Sequence, residues 1–150
     1  STPPLGSGFY EAMAGEAELR SYLRGCFYTA RGVSRSKVQR LMDNARKPGS
    51  IHPYASLITG YLDWSLLKDL PNVEPPILLI WGKQARPTPV EHSVRLAAVT
   101  RKCRLEVVDQ AGAWVHDEQS AKVNDLIIRY CSDELPAEPM ARTIDRAMHQ

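Results

Sequence analysis

Five consecutive apolar residues, Ile77-Leu-Leu-Ile-Trp81, restrict the fold of this chain more than any other part of its sequence. A strand that is apolar at every position needs cover on both faces, which is typical of parallel sheets flanked by helices. Gly82 closes the run, which has the length of a strand and falls far short of the roughly 18 residues of a membrane span. The run therefore predicts a buried strand of an α/β sheet.

Residues 75–132 predict a strand, a helix, a second strand and a second helix, in that order. The first helix begins with Thr88-Pro-Val-Glu91, which indicates a capping box with proline at the first helical position. The second strand is Arg104–Val108. The last helix follows Asp117, and its apolar stripe consists of Val123, Leu126, Ile127, Tyr130 and Cys131. This order is that of a parallel α/β unit.

The predicted sheet is incomplete within this chain. A fully apolar strand needs neighbours on both sides, and the sequence offers the first strand a single further one. The remaining strands are expected from an N-terminal half of the same fold or from a partner protein chain. The chain begins at Ser1 rather than at methionine, which leaves open a segment removed upstream.

The rest of the chain divides into a lead-in, a helical region and a tail. Residues 1–8 are turn-prone, residues 9–74 are predicted to be helical, and residues 133–150 form a polar tail. Within the helical region, one helix extends to about Phe27. Ser34 or Ser36 caps the next, and Lys47-Pro-Gly49 ends it. Two short helices are expected between Tyr54 and Leu70.

Composition excludes several classes of protein. The 150 residues are 43% apolar and 24% charged, which predicts a soluble globular domain, and the net charge of +2 arises from well-mixed charges rather than a nucleic-acid-binding stripe. Three distant cysteines, with Cys131 expected in the core, fit neither a disulfide framework nor a zinc site and favour a reducing compartment. The histidines show no metal-ligand spacing. No cofactor, metal or nucleic acid is expected, and the compartment itself is unknown.

Two segments resemble the last two strand–helix units of the α/β-hydrolase superfamily. They are Pro76-Ile-Leu-Leu-Ile-Trp-Gly82 and Ala111-Gly-Ala-Trp-Val-His-Asp-Glu-Gln119, separated by a capped helix and a strand. Residues 9–74 are similar to that superfamily's cap or lid. The resemblance covers about residues 5–132 and implies the C-terminal part of an α/β-hydrolase fold.

The resemblance also implies where the catalytic residues should be. The family's nucleophile lies in G-x-S-x-G before the cap, and this sequence contains no such motif. The acid of W-G-x-x-D falls on Ala85, and the histidine of A-G-H falls on Ala113. A methyl group neither accepts a proton nor orients an imidazole. Some members take their acid from an earlier strand, so Ala113 is the stronger evidence against catalysis.

Other polar residues have competing interpretations. His116 is a candidate substitute base three residues after Ala113, but packing beneath the loop is the favoured interpretation. His92 is expected in solvent. Glu91 and Asp109, the nearest carboxylates, are interpreted as a helix cap and a solvated strand end.

Several aromatic side chains are candidates for an apolar substrate pocket between cap and sheet, although core packing explains them better. These are Tyr54, Tyr61, Trp64, Trp81 and Trp114.

Three functions remain open. The favoured prediction is a catalytically silent hydrolase-like binding or assembly module, which overlaps with a purely structural subunit of a larger complex. The alternative is a portion of an active serine-type hydrolase of small apolar esters, with its nucleophile in an N-terminal half or in a partner chain. An apolar small molecule is a candidate ligand in either case.

Overall fold

The computed structural model describes residues 15–50 and 66–137, which belong to two compact units. The described part of the first unit comprises residues 15–24 and 33–50. The described part of the second comprises residues 25–32 and 66–137. Within these residues no helix is both long and apolar enough to cross a membrane. The predicted lead-in, most of the tail and residues 51–65 lie outside the described residues.

Helix α1 (Glu16–Cys26) and helix α2 (Arg35–Ala45) confirm the helical character predicted for this part of the chain. Ser34 is the N-cap of α2, and its hydroxyl accepts a hydrogen bond from Lys37 N at 3.2 Å. This bond satisfies one of the amides that the first turn of a helix leaves without an intrahelical acceptor. After α2 the chain turns at Gly49, whose φ of 83° suits glycine.

The second unit contains a β-α-β arrangement. Strand β1 (Ile77–Gly82) pairs in parallel with strand β2 (Cys103–Val108), and helix α3 (Val90–Val99) connects them. Helix α4 (Val115–Glu118) and helix α5 (Ser120–Cys131) follow β2. Three 3-10 turns complete the described elements: Ala30–Gly32, Leu66–Lys68 and Leu70–Asn72. The predicted order of strand, helix, strand and helix is confirmed.

Each face of the two-stranded sheet has its own apolar cluster, as the uniformly apolar strand predicted. One cluster centres on the α3 side and consists of Ala97, Cys103 and Leu105 with Leu79, Trp81, Val94 and Val107 around them. The other includes α5 and consists of Val108, Ala111, Val115, Val123, Leu126 and Leu135 with Ile80. All residues of β1 before Gly82 are nevertheless only half-buried, whereas Cys103, Leu105 and Val108 of β2 are buried. The sheet contains two strands among the described residues, which fits a partial fold.

The start of α3 corrects the predicted capping box. The N-cap is Pro89 rather than Thr88, and no side chain caps the helix. Pro89 has an extended backbone, with φ of −54° and ψ of 154°, so the helix begins one residue later than predicted. The Thr88 carbonyl instead accepts a hydrogen bond from Trp81 Nε1 at 2.7 Å.

The apolar stripe of α5 is narrower than predicted, and the expectation that Cys131 is buried is wrong. Val123 and Leu126 are buried, whereas Ile127 is 45% exposed and Cys131 is exposed. Ile127 and Cys131 follow Val123 at intervals of four residues, and this row of side chains runs along a different side of the helix from Leu126. Val123 and Leu126 therefore pack in the apolar cluster, whereas Ile127 and Cys131 are exposed.

Candidate functional site

The carboxyl ends of β1 and β2 carry the two loops on which the predicted site depends. Carboxyl ends of parallel strands meet at one edge of a sheet, where α/β proteins place their ligands. Two backbone hydrogen bonds tie these loops together. Lys83 N donates to Val108 O at 2.9 Å, and Gln84 N donates to Ala111 O at 3.0 Å. The loops that hold residues 85 and 113 are therefore fixed to each other.

Gln84 strengthens this connection through its side chain. Its Nε2 donates to Asp109 Oδ1 at 2.6 Å, and its Oε1 accepts from Ala111 N at 3.1 Å. The Gln84 hydrogen bond, followed by one from the Gln110 backbone, lowers the pKa of the exposed Asp109 carboxyl. Asp109 is thus a solvent-exposed carboxylate at a strand end, as interpreted from the sequence. No sequence pattern marked Gln84 as its partner.

Two glycines allow the loops to approach closely. A Cβ on Gly82 would overlap the carbonyl oxygen of Gly112, and a Cβ on Gly112 would overlap the carbonyl oxygen of Cys26. Ala113 N also donates to Cys26 O at 2.7 Å. The segment after α1 therefore lies directly against the loop after β2, and no side chain fits between them.

Ala85 and Ala113 line one cleft at this edge of the sheet. The cleft has a volume of about 120 Å³ and is lined by Ile80, Trp81, Gly82, Ala85, Thr88, Ala113 and Val115. The two positions that the resemblance assigned to the acid and the base are thus brought together. Trp81, a predicted pocket residue, lies in the wall, where its bond to the Thr88 carbonyl holds the indole in place.

The lining of this cleft offers no group that could transfer a proton at neutral pH. Among the described residues that form it, the polar side-chain groups are the Thr88 hydroxyl and the Trp81 indole N–H, and the latter is bonded to the Thr88 carbonyl. A threonine hydroxyl donates and accepts hydrogen bonds, but it is not a base near pH 7. The described lining of this cleft is therefore mostly apolar and contains no acid or base side chain.

The other predicted site residues lie elsewhere. Trp114 packs against Phe27, with ring centroids 5.4 Å apart, and stacks with His116 at 6.2 Å. His116 is exposed, and the cleft lining named above does not include it. Packing against an aromatic ring agrees with a structural role, although on the surface rather than beneath the loop. Tyr54, Tyr61 and Trp64 fall outside the described residues.

A wider groove opens beside the cleft and shares Ala85 with it. It has a volume of about 420 Å³ and is lined by Tyr28, Lys83, Gln84, Ala85, Arg86, Pro89, Val90 and Glu91. Glu91 is exposed in the first turn of α3 and does not cap it through its side chain. His92, next to it, is exposed as predicted.

Glu118 is a residue that sequence reasoning missed. Its Oε1 accepts from Tyr28 N at 2.9 Å and from Thr29 N at 3.1 Å, and its Oε2 accepts from Gly112 N at 2.7 Å. A carboxylate five residues after Ala113 was visible in the sequence, but its partners around residue 28 were not. Only the folded chain shows that it joins the segment after α1 to the loop after β2.

The part of the chain that the structure describes contains no candidate metal-binding site. No group of three or more histidine, cysteine, aspartate or glutamate side chains is arranged there to hold a metal ion.

Comparison with known proteins identifies the fold. No protein-family model matches the chain, and no curated protein matches it. Among solved structures, it is similar to the meta-cleavage product hydrolase CumD from Pseudomonas fluorescens IP01 in a complex with acetates. The TM-score is 0.69 at 20% identity, and the match covers 80% of this chain and 46% of that chain.

Two further structures match over a similar share of the chain. The 2-hydroxy-6-oxo-6-phenylhexa-2,4-dienoate hydrolase BphD from Rhodococcus sp. strain RHA1 has a TM-score of 0.65 at 16% identity, over 86% of this chain and 49% of that chain. Est816, an N-acyl homoserine lactone degrading enzyme, has a TM-score of 0.62 at 17% identity, over 86% and 52%. This chain thus spans about half the length of these structures. It has part of an α/β-hydrolase fold, as predicted, and at these identities the likeness extends to the fold alone.

Proposed function

We propose that this chain is a catalytically silent part of an α/β-hydrolase-like protein, in which it binds a small apolar group and assembles with the remaining strands of the sheet. One observation carries the proposal: Ala85 and Ala113 line the same cleft, at the carboxyl ends of the strands. Both positions point to the same site, and neither carries a side chain that can move a proton.

The loss of turnover expected without a catalytic base is large enough to support a catalytically silent protein rather than a slow enzyme. Removing the base from a serine hydrolase costs on the order of a millionfold in turnover. Removing the group that orients the base costs a further factor only while a base is present, because the members of a triad act as a unit. With alanine at both positions, binding is the property that the cleft retains.

The cleft suits one small apolar group. Its volume of about 120 Å³ is close to that of a protein cavity of roughly 150 Å³ that takes up benzene. Ile80, Trp81 and Val115 supply apolar walls. Whole ligand pockets span roughly 300–1,000 Å³, so this cleft accommodates one part of a larger ligand or a single ring.

The outer edge of β1 supports the assembly role. Ile77 N donates to Lys102 O at 3.0 Å, and Lys83 N donates to Val108 O at 2.9 Å, so odd-numbered residues of β1 face β2. By alternation, the backbone amides of Leu78 and Ile80 face the opposite side. An apolar, half-buried strand with an edge of this kind is completed by a further strand, from an N-terminal half or from a partner chain.

The alternative, an active hydrolase that uses His116 as its base, has less support. The His116 imidazole is exposed and stacks on Trp114. To serve the cleft it would have to leave this ring and turn toward Ala113.

A labelling experiment separates the two functions. The longest natural form of the protein that contains this chain is treated with a fluorophosphonate probe, as wild type and as His116→Ala, with His92→Ala as a matched exposed-histidine control. Silence predicts no serine labelling and no hydrolysis of p-nitrophenyl acetate above the buffer rate in any of the three. Serine labelling of the wild type would overturn the proposal, and loss of the label in His116→Ala but not in His92→Ala would identify His116 as the base.

A second experiment tests binding. Alanine methyl groups are labelled with carbon-13, and toluene is titrated into the protein while their NMR signals are followed. Both Ala85 and Ala113 should shift with one common dissociation constant, whereas Ala98 of α3 should not. The same constant at all alanines, or no shift at the two cleft positions, contradicts a binding cleft.

A further inference from the structure

Glu118 hydrogen-bonds two separate segments that border the candidate site. The backbone donors that it binds belong to Tyr28, Thr29 and Gly112, at distances from 2.7 to 3.1 Å. Tyr28 lines the wide groove, and Gly112 immediately precedes Ala113 in the wall of the cleft. The two donor segments are separated by more than eighty residues of sequence and meet at this carboxylate.

The chemistry of this arrangement requires a carboxylate. Both oxygens of an ionised glutamate accept hydrogen bonds, and charge-assisted bonds of this kind are shorter and stronger than neutral ones. Tyr28 N is shared between the two oxygens, at 2.9 and 3.1 Å, while Thr29 N and Gly112 N each take one. A glutamine in the same place would turn an NH₂ group toward at least one of these donors.

Close backbone contact makes the position of Ala113 dependent on this carboxylate. Gly112 has no room for a Cβ against Cys26, and Ala113 N donates to Cys26 O at 2.7 Å. The cleft wall at Ala113 is therefore set by how residues 26–29 dock, and Glu118 is the side chain that bonds both partners. Gln84 joins the two loops at Asp109 and Ala111, whereas Glu118 holds the loop after β2 at Gly112, next to Ala113 itself.

We propose that Glu118 is the positioning residue of this site, which sets the separation of the Ala113 wall from the Ala85 wall and thereby determines the size of the group that the cleft accepts. This inference rests on the proposed function, because it assigns Glu118 a role in the same binding cleft. Glu118 acts through the backbone of Gly112 and does not itself contact the ligand.

Hydrogen exchange tests the hydrogen bonds of Glu118 to Tyr28, Thr29 and Gly112 independently of any ligand. In the full chain, the isosteric Glu118→Gln variant should accelerate exchange about tenfold or more in peptides covering residues 27–30 or 111–113, because a charged acceptor is lost. Asp117→Asn, which alters the adjacent exposed carboxylate, is the matched control and should leave both peptides unchanged. In each variant the amides of Val123 and Leu126 should keep their protection, which separates a local effect from general destabilisation.

The toluene titration then tests positioning. Glu118→Gln should weaken binding at least about fivefold and change the shift of the Ala113 methyl group, while the Ala85 methyl group keeps its wild-type signal in the absence of toluene. Glu118→Ala, which removes all the bonds, should produce a larger effect in the same direction. Asp117→Asn should bind as wild type does.

The possible results separate this inference from the proposed function. Wild-type exchange rates in Glu118→Gln, or a moved Ala113 signal with unchanged toluene affinity, overturn the positioning role. If the wild-type protein binds no toluene, both the proposed binding function and the positioning role of Glu118 are wrong. Accelerated exchange in Glu118→Gln would then still show that the Glu118 hydrogen bonds hold the two segments together. Serine labelling of the natural protein would overturn silence alone and leave the role of Glu118 intact.

Discussion

Gln84 Nε2 donates to Asp109 Oδ1 at 2.6 Å, which links the loop after β1 to the loop after β2 by a side-chain hydrogen bond. This bond is the first cause of the lowered pKa of Asp109, whose ordinary value is 3.8. Because the folded-state pKa lies below the unfolded one, the bond stabilises the fold above the unfolded pKa. That contribution is lost as the pH falls through the folded-state pKa.

The Gln84→Ala variant should therefore raise the pKa of Asp109 toward its ordinary value. The measurement is an NMR titration of the Asp109 carboxyl carbon between pH 2 and pH 6, which brackets the ordinary carboxyl range. Gln39→Ala is the control, because the Gln39 side chain bonds Asp43 rather than Asp109. An equal Asp109 titration in wild type and Gln84→Ala would contradict the role assigned to the amide.

Replacing Gly112 by alanine should show that this glycine is needed for close packing rather than for its backbone flexibility. The Gly112→Ala Cβ would overlap backbone atoms of Cys26 and Tyr28, so we expect a loss of about 1 to 3 kcal/mol in the free energy of unfolding, or more. Gly25→Ala, within α1, meets no atom within 4 Å and should instead stabilise by about 0.5 to 1 kcal/mol. Urea unfolding measures both, and equal effects of the two substitutions would exclude the close approach at Gly112.

The three thiols should differ in reactivity. Cys131 is exposed, whereas Cys26 and Cys103 are buried, and burial raises the pKa of Cys103 to about 11. At pH 8 only about one in a thousand Cys103 side chains is then the reactive thiolate. One equivalent should react rapidly with Ellman's reagent, the other two only in denaturant, and Cys131→Ser should abolish the rapid phase. Two or more rapid equivalents in wild type would contradict the burial of Cys26 and Cys103.

The edge of β1 should govern self-association. If the sheet is incomplete, the chain expressed alone should form oligomers or be insoluble. Leu78→Pro should shift it toward monomer, because the removed N–H faces away from β2. Leu79→Pro removes an N–H that faces β2 and should unfold the sheet instead. Light scattering coupled to size exclusion gives the mass, and circular dichroism reports the fold. A monomeric wild-type chain with a sharp melting transition would contradict an incomplete sheet.

Much of the fold could be predicted because it depends on local sequence. The apolar run at 77–81 and the serine before α2 each act over a few residues, and the structure confirms a strand at the first and a helix N-cap at the second. The errors have local causes as well. Pro89 has an extended conformation, so α3 begins one residue later than predicted. The apolar stripe predicted for α5 included side chains, such as Ile127, that face solvent.

The candidate site could be predicted only in part. The resemblance to the α/β-hydrolase motifs assigned Ala85 and Ala113 to one site, and the structure brings both to one cleft. That they are the family's acid and base positions stays a prediction. The contributions of Gln84 and Glu118 could not be predicted, because Gln84 bonds Asp109, 25 residues away in sequence, and Glu118 bonds Tyr28, 90 residues away. Such pairings exist only after the loops have docked.

The hydrogen bond between Tyr28 N and Glu118 also imposes an order on the folding of the chain during its synthesis. Residue 28 leaves the ribosome 90 residues before its acceptor, a separation that takes roughly 5 to 18 s at about 5 to 20 residues per second. During that interval the nascent segment after α1 waits without the carboxylate that will receive its amides. Its final docking therefore cannot precede the emergence of a single downstream side chain, that of Glu118.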